Sequence, residues 1–157
     1  LPAQPGDIIT PSGDVIGKHA GLMYHTIGQR QGLGIGGVKG APDAPWYVVK
    51  KKLDTNQLVV DQGKHSPYLY ADRCWLSDIN LINADDIGID GLACMIKVRY
   101  RQPDQGCRLF VDGDLIRVEF DEPQRAVTLG QFGVLYDGER CMGGGVISRT
   151  EGAADAL

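Results

Sequence analysis

The stretch CMIKVRYRQPDQGCRLFVDGDLIRVEF (94–120) decides the fold. Its apolar-rich runs CMIKVRYR (94–101), CRLFV (107–111) and LIRVEF (115–120) are separated by PDQG (103–106) and VDGD (111–114), turn sequences that join antiparallel strands. In the first run Ile96, Val98 and Tyr100 share one face and Lys97, Arg99 and Arg101 the other. In the last, Ile116, Val118 and Phe120 alternate with Arg117 and Glu119, so these strands are half-buried around one core. Outward from them, FGVLY (132–136) is followed by the turn YDGE (136–139) and by GGGVI (143–147), where missing side chains suit close backbone approach at a barrel seam. Toward the N-terminus, WYVVKKKL (46–53) and NQLVVDQ (56–62) form a hairpin, preceded by the short pieces GDII and VIGKH. The expected fold is mainly β: a small β-rich module with one short helix, then an antiparallel β-barrel. The helix is placed in AGLMYHTIGQR (20–30), where Met23 and Ile27 stand four apart and Gly28 and Gly32 mark the exit; a single turn is expected at NADDI (83–87), capped by Asn83. The modules are placed at 1–68 and 69–150, with 151–157 as a disordered tail.

The 157 residues are 43% apolar and carry a formal net charge of −4. That length gives one ordinary domain or two small ones. Residues 1–66 hold seven Lys or Arg against five Asp, and residues 67–157 hold nine against fifteen Asp or Glu, so an anionic partner would meet local patches rather than a global field. No apolar run is long enough for a transmembrane helix and no secretory signal is seen, which predicts a cytoplasmic protein without membrane association. The opening LPAQPG reads as a linker, and the chain as a fragment. Cys74, Cys94, Cys107 and Cys141 are too widely spaced for a Cys-x-x-Cys clamp or redox pair and read as reduced, partly buried thiols. With His19, His25 and His65 they give no zinc-ligand spacing, so no metal site is expected.

GLGIGG (32–37) satisfies a glycine-x-glycine-x-x-glycine pattern, but polar QRQ precedes it and a segment with two prolines follows, the wrong setting for a dinucleotide pyrophosphate. A connector, or a loop whose backbone lies close to a partner, fits better. No lysine-bearing phosphate loop, GxSxG elbow or triad arrangement occurs. Lys97, Arg99 and Arg101, about 6.6 Å apart on one strand face, are spaced to follow a nucleic-acid backbone, although such a face also serves simply to stay solvated. Arg30 adds a cation in the polar exit GQRQ, whereas alternation turns Lys51 away from Lys50 and Lys52.

GDIITPSGDVIGKHAGLMYHTIGQRQGLGIGG (6–37), PWYVVKKKLDTNQLVV (45–60), KVRYRQ (97–102) and FDEPQRAVTLGQFGVLYDGERCMGGGVI (120–147) resemble, in order, the C-terminal two-fifths or so of the bacterial tRNA-specific 2-thiouridylases. The resemblance implies a central tRNA-binding module followed by a barrel like those of translation factors. It also implies a longer enzyme that adenylates the wobble uridine of Lys, Glu and Gln tRNAs with ATP and Mg, and receives sulfur from a cysteine persulfide supplied by a sulfur-relay protein. On that likeness this chain carries no catalytic residue and no cofactor of its own, and its partner is tRNA rather than DNA. The family's tRNA contacts carry over to Arg99 and Tyr100 in KVRYRQ and to Gln131 in LGQ, with Lys97, Arg101 and Arg30 as further candidates. Gln31 replaces a Lys common in the family and Leu129 a Pro, changes expected to remove one phosphate contact and to loosen the loop around Gln131. The alternative role is a protein-interaction module for the sulfur-relay partner or for a dimer contact.

Overall fold

A computed structural model describes residues 3–99 and 101–157. The chain divides into two compact units, residues 1–70 with 153–157, and residues 71–152.

The first unit is built on four strands, β1 (Gly6–Ile9), β2 (Val15–His19), β3 (Trp46–Lys52) and β4 (Gln57–Gln62), in the order β2-β1-β4-β3. β1/β2 and β3/β4 are antiparallel hairpins, and β1 runs parallel to β4. The runs YVV and LVV are continuously apolar because both faces of this sheet are covered. Ile8, Val48, Leu58 and Val60 face Leu33, with Leu22, Ile27 and Ile35 packed nearby; Ile9, Tyr47, Val49 and Val59 face Leu69, with Leu157 among their neighbours.

The helix expected over 20–30 contracts to one 3-10 turn, Leu22–Tyr24. Gly21 is extended and offers no side-chain cap, His25 is already extended, and Gly28 has a φ of 89°, so nothing propagates the turn. Met23 and Tyr24 therefore face solvent instead of the core. The turn at Ala84–Asp86 matches expectation, with Asn83 Oδ1 accepting from the Asp85 amide at 3.0 Å.

The second unit is a closed barrel of β5 (Tyr70–Asn80), β6 (Leu92–Lys97), β7 (Gln105–Asp112), β8 (Leu115–Arg125), β9 (Phe132–Asp137) and β10 (Arg140–Gly152), in the cyclic order β10-β5-β8-β7-β6-β9. Closure leaves no sheet edge exposed. Inward positions fill the interior, among them Cys74, Leu76, Ile96, Leu109, Val118, Leu135 and Ile147. The seam has the close approach read from GGGVI: a Cβ on Gly143, Gly144 or Gly145 would collide with the main-chain oxygen of Asn80, Gly133 or Ser77 respectively. Outside, Arg73 of β5 pairs with Glu119 of β8 (2.8 Å) and with Glu151 of β10, tying one strand to both neighbours.

Residues 151–157 differ from the expected loose tail. β10 runs to Gly152, and Ala153–Ala156 form a 3-10 turn that belongs to the first unit. Lys50 Nζ donates to the Ala154 and Leu157 carbonyl oxygens at 3.0 and 2.9 Å, and Leu157 packs on the second apolar face.

Candidate nucleic-acid interface

Strand pairing fixes where the candidate residues emerge. Ile96 pairs with Gln105, Lys97 with Val134, and Cys107 with Phe120. The end of β6, the start of β7, the end of β8 and the start of β9 thus lie at one end of the barrel, and the connections 98–104 and 126–131 both leave from it.

β6 stops at Lys97, so the alternation expected through residue 101 does not continue. Arg101 has a φ of 65°, a left-handed conformation that breaks any strand, and Lys97, Arg99 and Arg101 do not line one strand face. The segment instead turns back, with the Gln102 amide donating to the Arg99 carbonyl oxygen at 3.3 Å. Tyr100 lies outside the described residues.

Three glutamines hold this connection. Gln124 near the end of β8 is 5% exposed; its Oε1 accepts from Gln102 Nε2 at 3.0 Å, and its Nε2 donates to Gln105 Oε1 at 3.4 Å and to the Glu122 carbonyl oxygen at 3.0 Å. Arg99 is exposed, and its Nη1 donates to the Arg125 carbonyl oxygen at 3.4 Å, which joins the RYRQ segment to the segment leading to Gln131. Lys97 lies 3.5 Å from Asp104 and 5.6 Å from the centre of the Tyr136 ring, so its charge is partly neutralised within the barrel. The exposed Arg101 is on the same connection.

Gln131 sits exposed immediately before β9, and its loop is well tied despite Leu129. The Gly130 amide donates to the Ile147 carbonyl oxygen and the Ile147 amide to the Gln131 carbonyl oxygen, both at 2.8 Å, while Thr128 Oγ1 donates to the Ala126 carbonyl oxygen at 2.9 Å. Main-chain hydrogen bonds to β10 thus supply the restraint that the missing proline was expected to provide. Leu129 and Phe132, exposed by 59% and 48%, flank Gln131.

Other cations of the second unit are engaged elsewhere. Arg117 bonds Glu119 at 2.9 Å, Arg149 lies 3.3 Å from Glu151 and stacks over Trp75, and Arg140 lies 3.6 Å from Asp137. Arg108 donates to the Asp90 carbonyl oxygen at 3.2 Å.

Arg30 belongs to the first unit, at the rim of an open groove of about 800 Å³ formed by the glycine-rich loop and the chain leading to Trp46. No helix follows GLGIGG; its Leu33 is buried in the core, and the loop's entry is pinned by hydrogen bonds between Gly28 and Val48 and between Val48 and Gln29. This geometry does not provide the helix N-terminus that would hold a nucleotide's phosphates.

Residues 1–62 match the family described as a tRNA methyl transferase PRC-barrel domain, and residues 71–147 match the aminomethyltransferase beta-barrel domain. The tRNA-specific 2-thiouridylase MnmA of Pseudomonas fluorescens (strain Pf0-1) is 58% identical over 151 residues, covering 96% of this chain and 40% of that protein. The chain belongs to the tRNA-specific 2-thiouridylase family. The thiouridylase of Hahella chejuensis is 58% identical over 147 residues (94% of this chain, 40% of that protein), and that of Acinetobacter baylyi 50% identical over 155 (96% and 41%). The chain spans about two fifths of the length of these thiouridylases. The two family matches meet the two structural units, one ending with β4 and the other beginning in β5. Of the residues singled out from the sequence, Lys97, Arg99, Arg101 and Gln131 lie on two connections at one barrel end, and Arg30 in the other unit. Gln102, Gln124 and Arg125 were not singled out; the signal for them was the repeated Gln-Arg and Arg-x-Arg-Gln wording of those connections, which acquires meaning only once strand pairing brings the two together.

Proposed function

We propose that this chain is the tRNA-docking part of a 2-thiouridylase that thiolates the wobble uridine of Lys, Glu and Gln tRNAs. The observation that carries the reading is the convergence of Arg99 and Gln131 on one barrel end, with Arg99 hydrogen-bonded across to Arg125. Arg99 is assigned to a phosphate, Gln131 to a base or sugar edge, and Phe132 offers an aromatic face for an unstacked base beside it. Arg101 is assigned to the same docking surface, and Tyr100 is assigned a tRNA contact on the family resemblance alone. Lys97, bound to Asp104, contributes less, and Arg30 is assigned to a separate contact in the first unit.

The adenylated intermediate, the Mg–ATP that forms it and the persulfide delivered by a sulfur-relay protein are assigned to the longer enzyme, in the cytoplasm. The glycine-rich loop does not fit the nucleotide, so no step of that chemistry is placed on residues of this chain. A protein-contact role is favoured at the adjacent Met23 and Tyr24, exposed by 62% and 64%.

The test is titration of the protein with cognate tRNA at two salt concentrations. Saturable binding that weakens with salt is expected, and Arg99→Ala should lower affinity and reduce the slope of log K against log salt by about one unit or less. An unchanged slope in Arg99→Ala removes Arg99 from the phosphate contacts, and absence of binding overturns docking.

A further inference from the structure

Cys94 and Cys107, thirteen positions apart in sequence, are directly opposite each other in the antiparallel pair β6/β7, with their sulfurs 3.6 Å apart. Both thiols are free. Their side chains necessarily share one face, because cross-strand partners point the same way. Bond formation at about 2.05 Å asks for an approach of roughly 1.5 Å, within reach of small side-chain rotations on a register already set by the barrel.

Accessibility gives the two sulfurs different parts. Cys107 is 2% exposed, whereas Cys94 is only partly buried. We infer that Cys94 and Cys107 form a dithiol oxidation site, in which a small-molecule disulfide such as glutathione disulfide converts the pair to a cross-strand bond between β6 and β7. Cys94, as thiolate, attacks one sulfur of the reagent; the reagent's S–S bond breaks, a mixed disulfide forms on Cys94, and one thiolate departs. Cys107, deprotonated, then attacks the Cys94 sulfur, forms the Cys94–Cys107 bond and expels the second thiolate. Two protein thiols are oxidised, the reagent is reduced to two thiols, and the two protons pass to the departing thiolates.

The electrostatics agree with that order. The Cys107 S–H hydrogen bond holds the Cys94 thiol below its ordinary range, against burial and the nearby Asp137 and Asp121 carboxylates; the same bond, with burial, pushes Cys107 up in the dithiol, and capping of Cys94 removes that bond before Cys107 attacks. Cys74 is fully buried, its thiol is pushed up to about 12 by desolvation, and its cross-strand partner on β10 is Thr150 rather than a thiol, which makes it a poor competitor. Cys141 is exposed on β10 and competes for the oxidant, so the test is made on Cys141→Ser.

The full chain carrying C141S is treated with glutathione disulfide, alkylated, and weighed intact and after trypsin. The expected product has lost two hydrogens and two alkylation sites, and links peptide 74–97 to peptide 102–108, the link persisting in Cys74→Ala and vanishing in Cys94→Ser. Cys107→Ala should trap glutathione on Cys94, because the resolving thiol is gone. The inference is overturned if the C141S chain keeps all its thiols, if glutathione stays on Cys94 with Cys107 present, or if the link requires Cys74. None of these outcomes depends on tRNA binding.

Discussion

Gly6 shows how much a single atom can decide. A Cβ there would stand against the Asn56 carbonyl oxygen and within 2.6 Å of His19 Nε2, the two atoms already hydrogen-bonded to each other at 2.8 Å. Neither can retreat, since Asn56 has a φ of 55° and its Nδ2 also donates to the Gln4 and Pro5 carbonyl oxygens. Gly6→Ala should therefore cost about 1–3 kcal/mol in denaturant unfolding. At Gly106 the Cβ would meet the end of the Asp121 side chain, which can swing into solvent, so Gly106→Ala should cost well under that. Equal costs at the two positions would refute the packing argument. Next to His19, His25 is buried with its ring 6.2 Å from that of its neighbour, and burial, opposed by Gln29 and reinforced by His19 and Lys51, holds its pKa below 6.5. An imidazole with a folded pKa below its unfolded one binds fewer protons when folded, so its stabilising contribution is complete above pH 6.5 and is lost as pH falls through the lowered value. Urea midpoints should drop from about pH 7.5 to about pH 5, and His25→Gln should flatten that dependence; an equal drop in the variant would assign the effect to other groups. Neither point was legible in the sequence. His25 reads there as a polar residue in a helix, because what buries it is a loop folding over the sheet rather than any local periodicity.

At the scale of elements, Gln124 does for the 98–104 connection what a local sequence pattern cannot. Its buried amide bridges Gln102 and Gln105, so Gln124→Ala leaves the Gln102 and Gln105 amides without it and should cost about 1–3 kcal/mol. The same variant should speed amide exchange over 98–104 and weaken tRNA binding more than the loss of stability alone explains; unchanged exchange there would show that the bridge does not hold the loop. The hairpins themselves were legible, because Asx-Gly turns and strict alternation are local signals. Their ends were not. KVRYR alternates to its last residue, yet pairing stops at Lys97 and the chain is left-handed by Arg101. The Cys94–Cys107 approach was hidden for a related reason: sequence separation rejects a short-spaced clamp, while register alone sets cysteines thirteen apart side by side.

For the whole molecule, the lesson lies in the last five residues. Their composition, AADAL after Gly152, carries no strand alternation or apolar stripe, and reads as a tail. Their place comes from the first unit's sheet, whose two apolar faces both require cover, and whose Lys50 finds acceptors in the Ala154 and Leu157 carbonyl oxygens. Deleting 153–157 removes those acceptors and the Leu157 side chain together. The predicted cost is about 1–3 kcal/mol, from the apolar surface returned to water and the partly buried ammonium left to find new partners. It should appear as faster amide exchange in β3 and β4, while the amides of β6 and β7, whose ladders are closed within the barrel, keep their protection. Should β3 and β4 exchange as slowly without the segment as with it, the C-terminal turn only rests on the sheet, and the second apolar face draws its stability from Ile9, Tyr47, Val49, Val59 and Leu69 without it.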